Sequence, residues 1–287
     1  MTAHDKVRFT RKGKNRCRNI QLTTLAIITL CVLYHYRLRN LLQVYLSTGS
    51  IDEAPLHVIA FGDSLTAGLY GWPWAMKFHP YTDKLERRLR DHFLNRSISV
   101  KNAGISGERL SKMQPRLMNI ILNQTNDLRH EHKLVVILAG TNDVTDILKN
   151  LSKYSQKETE VPGRAVLGAE EQKKALNIVN KIIKLHIMCH LTGIRTIAVS
   201  IPGVKIEKER ASFMEYRQMI NDGLKAFVND TKRMSSLIDL DRHIPRHGLT
   251  KSDESVYWDD GVHMTEHAYD KMADLIFDHI LKNVKSI

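Results

Sequence analysis

From residue 51 onward the chain switches repeatedly between two hydrophobic periods, and that alternation limits the fold more than any other feature. Short, nearly continuous apolar runs fall at 57–62, 97–102, 133–139, 195–201 and 236–240. Runs this short, bounded by Gly, Asp, Asn or Pro, read as strands buried on both faces. Longer stretches with apolar residues at helical spacing lie between and after them, at 83–94, 109–122, 169–191, 208–228 and 266–284. Five strands alternating with five helices predict a mostly parallel five-stranded sheet covered on both faces, a three-layer α/β/α domain with right-handed crossovers. Ligands bind such sheets beyond the carboxyl ends of the strands, so the residues directly after each strand are the candidate functional ones.

This domain is expected to occupy residues 55–287. It shows no internal repeat, and its longest stretch without a pattern is 153–167, which holds Pro162 and Gly163 and reads as a mobile loop. The preceding 54 residues differ in kind. The net charge of the chain is +12, but residues 1–50 carry nine basic side chains against the single acid Asp5, so +8 of that total sits there. The rest of the chain has an ordinary surface charge and no nucleic-acid-binding signature, and nucleic acid is not expected as a partner. Residues 20–36 are uncharged and lie between Arg18 and Arg37, at the short end of what crosses a bilayer as a helix. A cleaved signal peptide shares the basic-then-apolar order but ends in small residues, whereas this run ends in Tyr34, His35 and Tyr36. The expectation is a basic cytosolic tail (1–19), an uncleaved transmembrane anchor (20–36), a stalk (37–54) and a lumenal or extracellular domain, a type II membrane protein of the secretory pathway. The sequons at Asn95, Asn123, Asn150 and Asn229 fit that side and mark a candidate glycoprotein.

The three cysteines offer no disulfide within the domain, since only Cys189 lies in it. It reads as a small buried hydrophobe, while Cys17 beside the anchor is either an acylation site or an idle thiol. His186, Cys189 and His190 share a helical face without a carboxylate, so they are not expected to hold zinc. With no glycine-rich phosphate loop either, the sequence calls for no cofactor and no metal.

Four segments carry the chemistry: Gly62-Asp63-Ser64-Leu65 after the first strand, Asn102-Ala103-Gly104-Ile105-Ser106-Gly107 after the second, Gly140-Thr141-Asn142-Asp143 after the third, and Asp259-Asp260-Gly261-Val262-His263 before the last helix. Singly, each has a plain structural use as a helix cap or a turn. Together they supply every part of an acyl-transfer site. Ser64 needs a base for its proton, and the imidazole of His263 is suited to it. Asp260 can accept the other ring N–H, with the adjacent Asp259 as the lesser candidate. An oxyanion would be met by the N–H groups of Ser64 and Gly104 and the amide of Asn142.

These four segments, in this order, resemble the four blocks of the GDSL or SGNH hydrolase family, spanning residues 57–267. The resemblance implies a flavodoxin-like sheet, a metal-free serine esterase, and Ser64, Gly104, Asn142 and His263 as defining residues. The expected activity is therefore carboxylic-ester hydrolysis of the esterase or lysophospholipase kind. An O-acetyl glycan esterase and an acyltransferase on the same site remain alternatives, and a non-catalytic binding module ranks below them. The aromatic stretch 69–81 after Ser64 either lines a substrate pocket or packs on the domain. The oligomeric state is not legible.

Overall fold

The computed structural model describes residues 55–71, 73, 75–124, 132–154 and 167–283. The expected tail, anchor and stalk lie outside these residues, as does most of the 153–167 stretch. No helix among the described residues is long and apolar enough to cross a membrane.

The elements follow in the order β1 (Leu56–Gly62), α1 (Ser64–Ala67), β2 (Leu69–Tyr70), β3 (Lys77–Phe78), α2 (Tyr81–His92), β4 (Ile98–Gly104), α3 (Leu110–Gln124), β5 (His132–Leu138) and α4 (Thr141–Tyr154). Then come α5 (Ala169–Leu191), β6 (Arg195–Val199), a 3-10 turn (Lys205–Glu209), α6 (Ala211–Asp230), β7 (Ser235–Ile238), α7 (Leu240–His243), α8 (Lys251–Tyr257) and α9 (Glu266–Asn283). The main sheet has the order β4-β1-β5-β6-β7 with every pair parallel. Counting its strands along the chain, this is the 2-1-3-4-5 order of flavodoxin-like sheets, whose switch point lies beside the first strand. The α/β fold with a parallel five-stranded sheet is thus as expected, with shifted boundaries and further elements: the short α1, the β2–β3 hairpin, the helix α4, the 3-10 turn and the short helices α7 and α8.

Alternation along each strand feeds two cores. Ile59 and Phe61 of β1 and Val135 and Ile137 of β5 face α3, α5 and α6, where Met113, Leu117, Ile182, Leu185, Tyr216 and Ile220 are buried. Val58, Ala60, Leu134 and Val136 face the other way, onto Leu85 and Leu89 of α2 and Met272 and Ile276 of α9. Burying both faces explains why the strands read as unbroken apolar runs, each large side chain contributing about 1.5–3 kcal/mol. In α4, Val144 and Leu148 are buried, and Ile147 and Leu151 pack against the first core.

Candidate active site

The end of β1 is shaped by crowding. A Cβ on Gly62 would lie 2.2 Å from Thr66 Oγ1 and 2.3 Å from the carbonyl oxygen of Leu138, so only glycine lets the chain turn into α1 there. Asp63 caps that helix, its Oδ1 accepting from the N–H of Leu65 at 3.0 Å. Ser64 occupies the first helical position, where its N–H has no intrahelical acceptor. Asp63 itself is fully buried and its Oδ2 makes no hydrogen bond. Burial raises its pKa to about 6, against the lowering effects of the Leu65 N–H, the neighbouring Thr141 hydroxyl and the charge of His263.

The loop before α9 is closed by a bridge between Trp258 and Met264 and by the hydrogen bond from Asp259 N to His263 O at 3.0 Å. Inside it, Asp260 Oδ1 accepts from the N–H groups of Val262 and His263, both at 2.6 Å, an Asx-type turn. Its other oxygen is 2.7 Å from His263 Nδ1, and His263 Nε2 is 3.1 Å from Ser64 Oγ. The structure therefore brings Ser64, His263 and Asp260 into one hydrogen-bonded chain. Burial works against the charge on Asp260, yet the bonds from the His263 ring, the His263 N–H and the Val262 N–H outweigh it and lower its pKa to about 2. The loop is also held from outside: Arg246 Nη2 donates to the Asp260 carbonyl at 2.7 Å while its guanidinium lies 4.1 Å over the Trp258 ring. Asp259 faces elsewhere. Its Oδ2 accepts from Gly71 N at 2.6 Å, tying the β2–β3 hairpin to this loop.

The oxyanion donors expected from the sequence do not all face an open site. Asn142 lies in the first turn of α4, and its amide donates to the Glu108 carbonyl at 3.0 Å, leaving its second N–H for a ligand. Gly104 requires a correction. Its N–H donates to Asn102 Oδ1 at 2.8 Å, so it has no hydrogen left for an oxyanion. A Cβ there would sit 2.3 Å from Ala67 N and 2.7 Å from the Thr66 carbonyl carbon, so the glycine serves the packing of β4 on α1. Gly107, three residues on, has φ +75°, open space around it, and an N–H that meets no acceptor among the described residues. It immediately precedes Glu108, whose carbonyl holds Asn142. The sequence signal was present in the second glycine of the segment, but nothing local distinguishes the two.

A cleft of about 720 Å³ runs from His263 and Asn142 between α4 and the 3-10 turn, lined by Val204, Ile206 and Val262 and by the charged Asp146, Lys149, Lys205, Lys208 and Glu209. Pro73 of the aromatic stretch 69–81 reaches it, whereas Phe78 and Met76 are exposed. His186 and His190 bond the hydroxyl of Thr196, and Cys189 is buried with its thiol pKa pushed up to about 12 by that burial. No group of three or more His, Cys, Asp or Glu side chains placed to hold a metal occurs among the described residues.

The sequence profile of the family described as GDSL-like Lipase/Acylhydrolase matches residues 58–276. Among curated proteins none matches the chain. Solved structures with a similar fold include a member of the lipolytic protein G-D-S-L family from Veillonella parvula, 16% identical, covering 79% of this chain and 99% of that one with a TM-score of 0.54. An aryl esterase from M. smegmatis is 15% identical over the same shares with a TM-score of 0.54. Est24, a carbohydrate acetylesterase from Sinorhizobium meliloti, is 17% identical over 78% of this chain and 98% of its own, with a TM-score of 0.51.

Proposed function

The chain belongs to the GDSL-like lipase/acylhydrolase family, and from that premise we propose that it hydrolyses carboxylic esters through an acyl intermediate on Ser64. The observation that carries this reading is the hydrogen-bonded chain from Ser64 Oγ through His263 to Asp260. His263 Nε2 takes the Ser64 proton as Oγ attacks the ester carbonyl. Asp260, ionised throughout, holds the Nδ1 proton in place and stabilises the imidazolium. The carbonyl oxygen, now an oxyanion, is met by the N–H groups of Ser64 and Gly107 and the free N–H of Asn142. Collapse expels the alcohol, which takes its proton from His263. Water then attacks the acyl-serine with His263 again as base, and the carboxylic acid leaves.

A cleft of about 720 Å³, with Val204, Ile206 and Val262 beside the charged Asp146, Lys149, Lys205, Lys208 and Glu209, has room for more than an acetyl group. Its aliphatic residues leave room for a longer acyl chain, as in a lysophospholipid, and its charged wall for a polar alcohol. The test is hydrolysis of p-nitrophenyl esters from acetyl to long acyl chains by the full chain, beside Ser64→Ala and His263→Ala. Activity absent from both folded variants, with an optimum beyond acetyl, is the expected result. Near-normal activity in His263→Ala would sink the assigned base, and a maximum at acetyl would sink the substrate reading.

The reading extends to place. Residues 20–36 are proposed as a single-pass anchor with the hydrolase domain on the lumenal or extracellular side, supported by the basic tail before them and by the exposure of Asn95, Asn150 and Asn229. A glycosidase-sensitive mobility shift of the expressed protein is expected; its absence, with the domain open to protease from the cytosolic side, would reverse the orientation.

A further inference from the structure

Arg116 lies on α3, outside the four segments, yet its contacts fall on the backbone of two of them and on the Glu108 side chain that follows the second. Nη1 donates to the carbonyl of Ala103 at 2.8 Å and Nη2 to that of Gly62 at 3.2 Å. Nε meets both carboxylate oxygens of Glu108, at 2.9 and 3.0 Å, and Nη2 also pairs with Glu108 Oε2. The plane of the guanidinium is fixed by the Phe61 ring, 4.1 Å beneath it. Four of its five N–H groups are therefore engaged, and both partners of the ion pair are largely buried, at 19% and 7% side-chain exposure.

The identity of the partners gives these contacts their meaning. The Gly62 carbonyl precedes Asp63 and Ser64 and accepts both from Ile105 N at 3.1 Å and from Arg116, so the turn that presents the Ser64 N–H is tied to the 103–108 loop through both. The Ala103 carbonyl belongs to the peptide that enters the 104–108 loop. Glu108 follows Gly107, and its own carbonyl orients the Asn142 amide at 3.0 Å. We infer that Arg116 is a positioning residue for the oxyanion hole, its planar fork setting the 103–108 loop, and with it Gly107 and Asn142, at a fixed distance from Ser64. This rests on the esterase reading above. The guanidinium touches no reacting atom and acts only through the donors it places. A lysine there would keep the charge but could not reach two carbonyls and a carboxylate at once.

The test compares Arg116→Ala, Arg116→Lys, Asn142→Ala and the double variant Arg116→Ala/Asn142→Ala in the full chain, with Ser64→Ala as the blank and thermal melts to establish folding. A loop displaced by about 1 Å costs on the order of a hundredfold in rate, so kcat should fall roughly ten- to a hundredfold in Arg116→Ala while KM stays within about twofold. Arg116→Lys should also lose kcat, by less. The double variant should lose less than the product of the single losses, because both substitutions act on one oxyanion hole. If Arg116→Ala does not fold, the lysine variant and its combination with Asn142→Ala decide. Unchanged kcat in a folded variant, a loss seen in KM alone, or fully multiplicative losses would overturn the inference. A wild-type chain without Ser64-dependent turnover would instead overturn the esterase reading and take this inference with it.

Discussion

Replacing Asp63 by Asn should make the protein more stable at neutral pH and change its stability little in acid. The carboxyl is fully buried beside the nucleophile, with Oδ2 unpartnered and burial raising its pKa from 3.8 to about 6. Between those two values the folded state holds a proton that the unfolded chain has released, so stability falls as pH rises through this window. A difference of about two pKa units corresponds to roughly 3 kcal/mol, present as extra stability below pH 4 and lost by about pH 7. Asparagine has no such proton to lose. Its carbonyl can keep the bond from Leu65 N, and its amide would stand beside the Thr141 hydroxyl, itself unpartnered. The difference in Tm between Asp63→Asn and wild type should therefore grow between pH 4 and pH 8, by roughly 6 to 12 °C for a domain of this size. Parallel thermal melts across that range measure it, and groups that titrate alike in both proteins cancel in the difference. A Tm difference that stays flat with pH would refute the argument, because Asp63 would then ionise in the folded state as it does in the unfolded one.

Two further pairs of variants separate neighbouring residues. Gly104→Ala places a Cβ against the backbone of Thr66 and Ala67 and should destabilise the fold by about 3 kcal/mol, whereas Gly107→Ala meets no atoms, keeps its N–H and should cost only the strain of a left-handed alanine, about 1–2 kcal/mol. Melting curves decide; a Gly104→Ala variant as stable as wild type would contradict the crowding at that position. Asp260→Ala should reduce kcat about ten-thousandfold, while Asp259→Ala releases only the hairpin at Gly71 and should act mainly on KM. Equal losses in kcat from both aspartates would contradict that division.

Much of this architecture was legible because the sheet strands are buried on both faces and so read as apolar runs. Where local cues coincide, the reading stops. The segment 141–154 opens with Thr141, Asn142 and Asp143 after Gly140, a pattern shared by turns and helix starts, and this hid a helix whose Val144 and Leu148 are buried. Ser64, Asp260 and His263, the proposed triad, were legible because Ser64 directly follows a strand and the other two sit in a short loop just before the last helix. Gly104 was misread because its need for glycine arises from Ala67, far away in sequence and met only across the β4–β1 pairing. Arg116 and Arg246 carried no signal at all, since an arginine in a polar stretch looks like surface.

Those two arginines show how a site built on loops is made rigid. Near the carboxyl end of the sheet the ladder thins out: the Gly62 carbonyl still accepts from Ile105 N at 3.1 Å, and side chains add further donors there. Arg116 supplies them to Gly62 and Ala103 over the face of Phe61, and Arg246 supplies one to Asp260 over the face of Trp258. The aromatic ring fixes the guanidinium plane, and the fork then holds several backbone groups at once, which neither lysine nor a neutral amide could do. Burial lowers the pKa of Arg246 only to about 10, with Glu254 and Asp260 opposing the shift, so its charge persists through neutral pH. One clamp therefore lies beside the 103–108 loop and the other beside the Asp260–His263 loop, and the proposed spacing between Ser64, His263 and the oxyanion donors would depend on both.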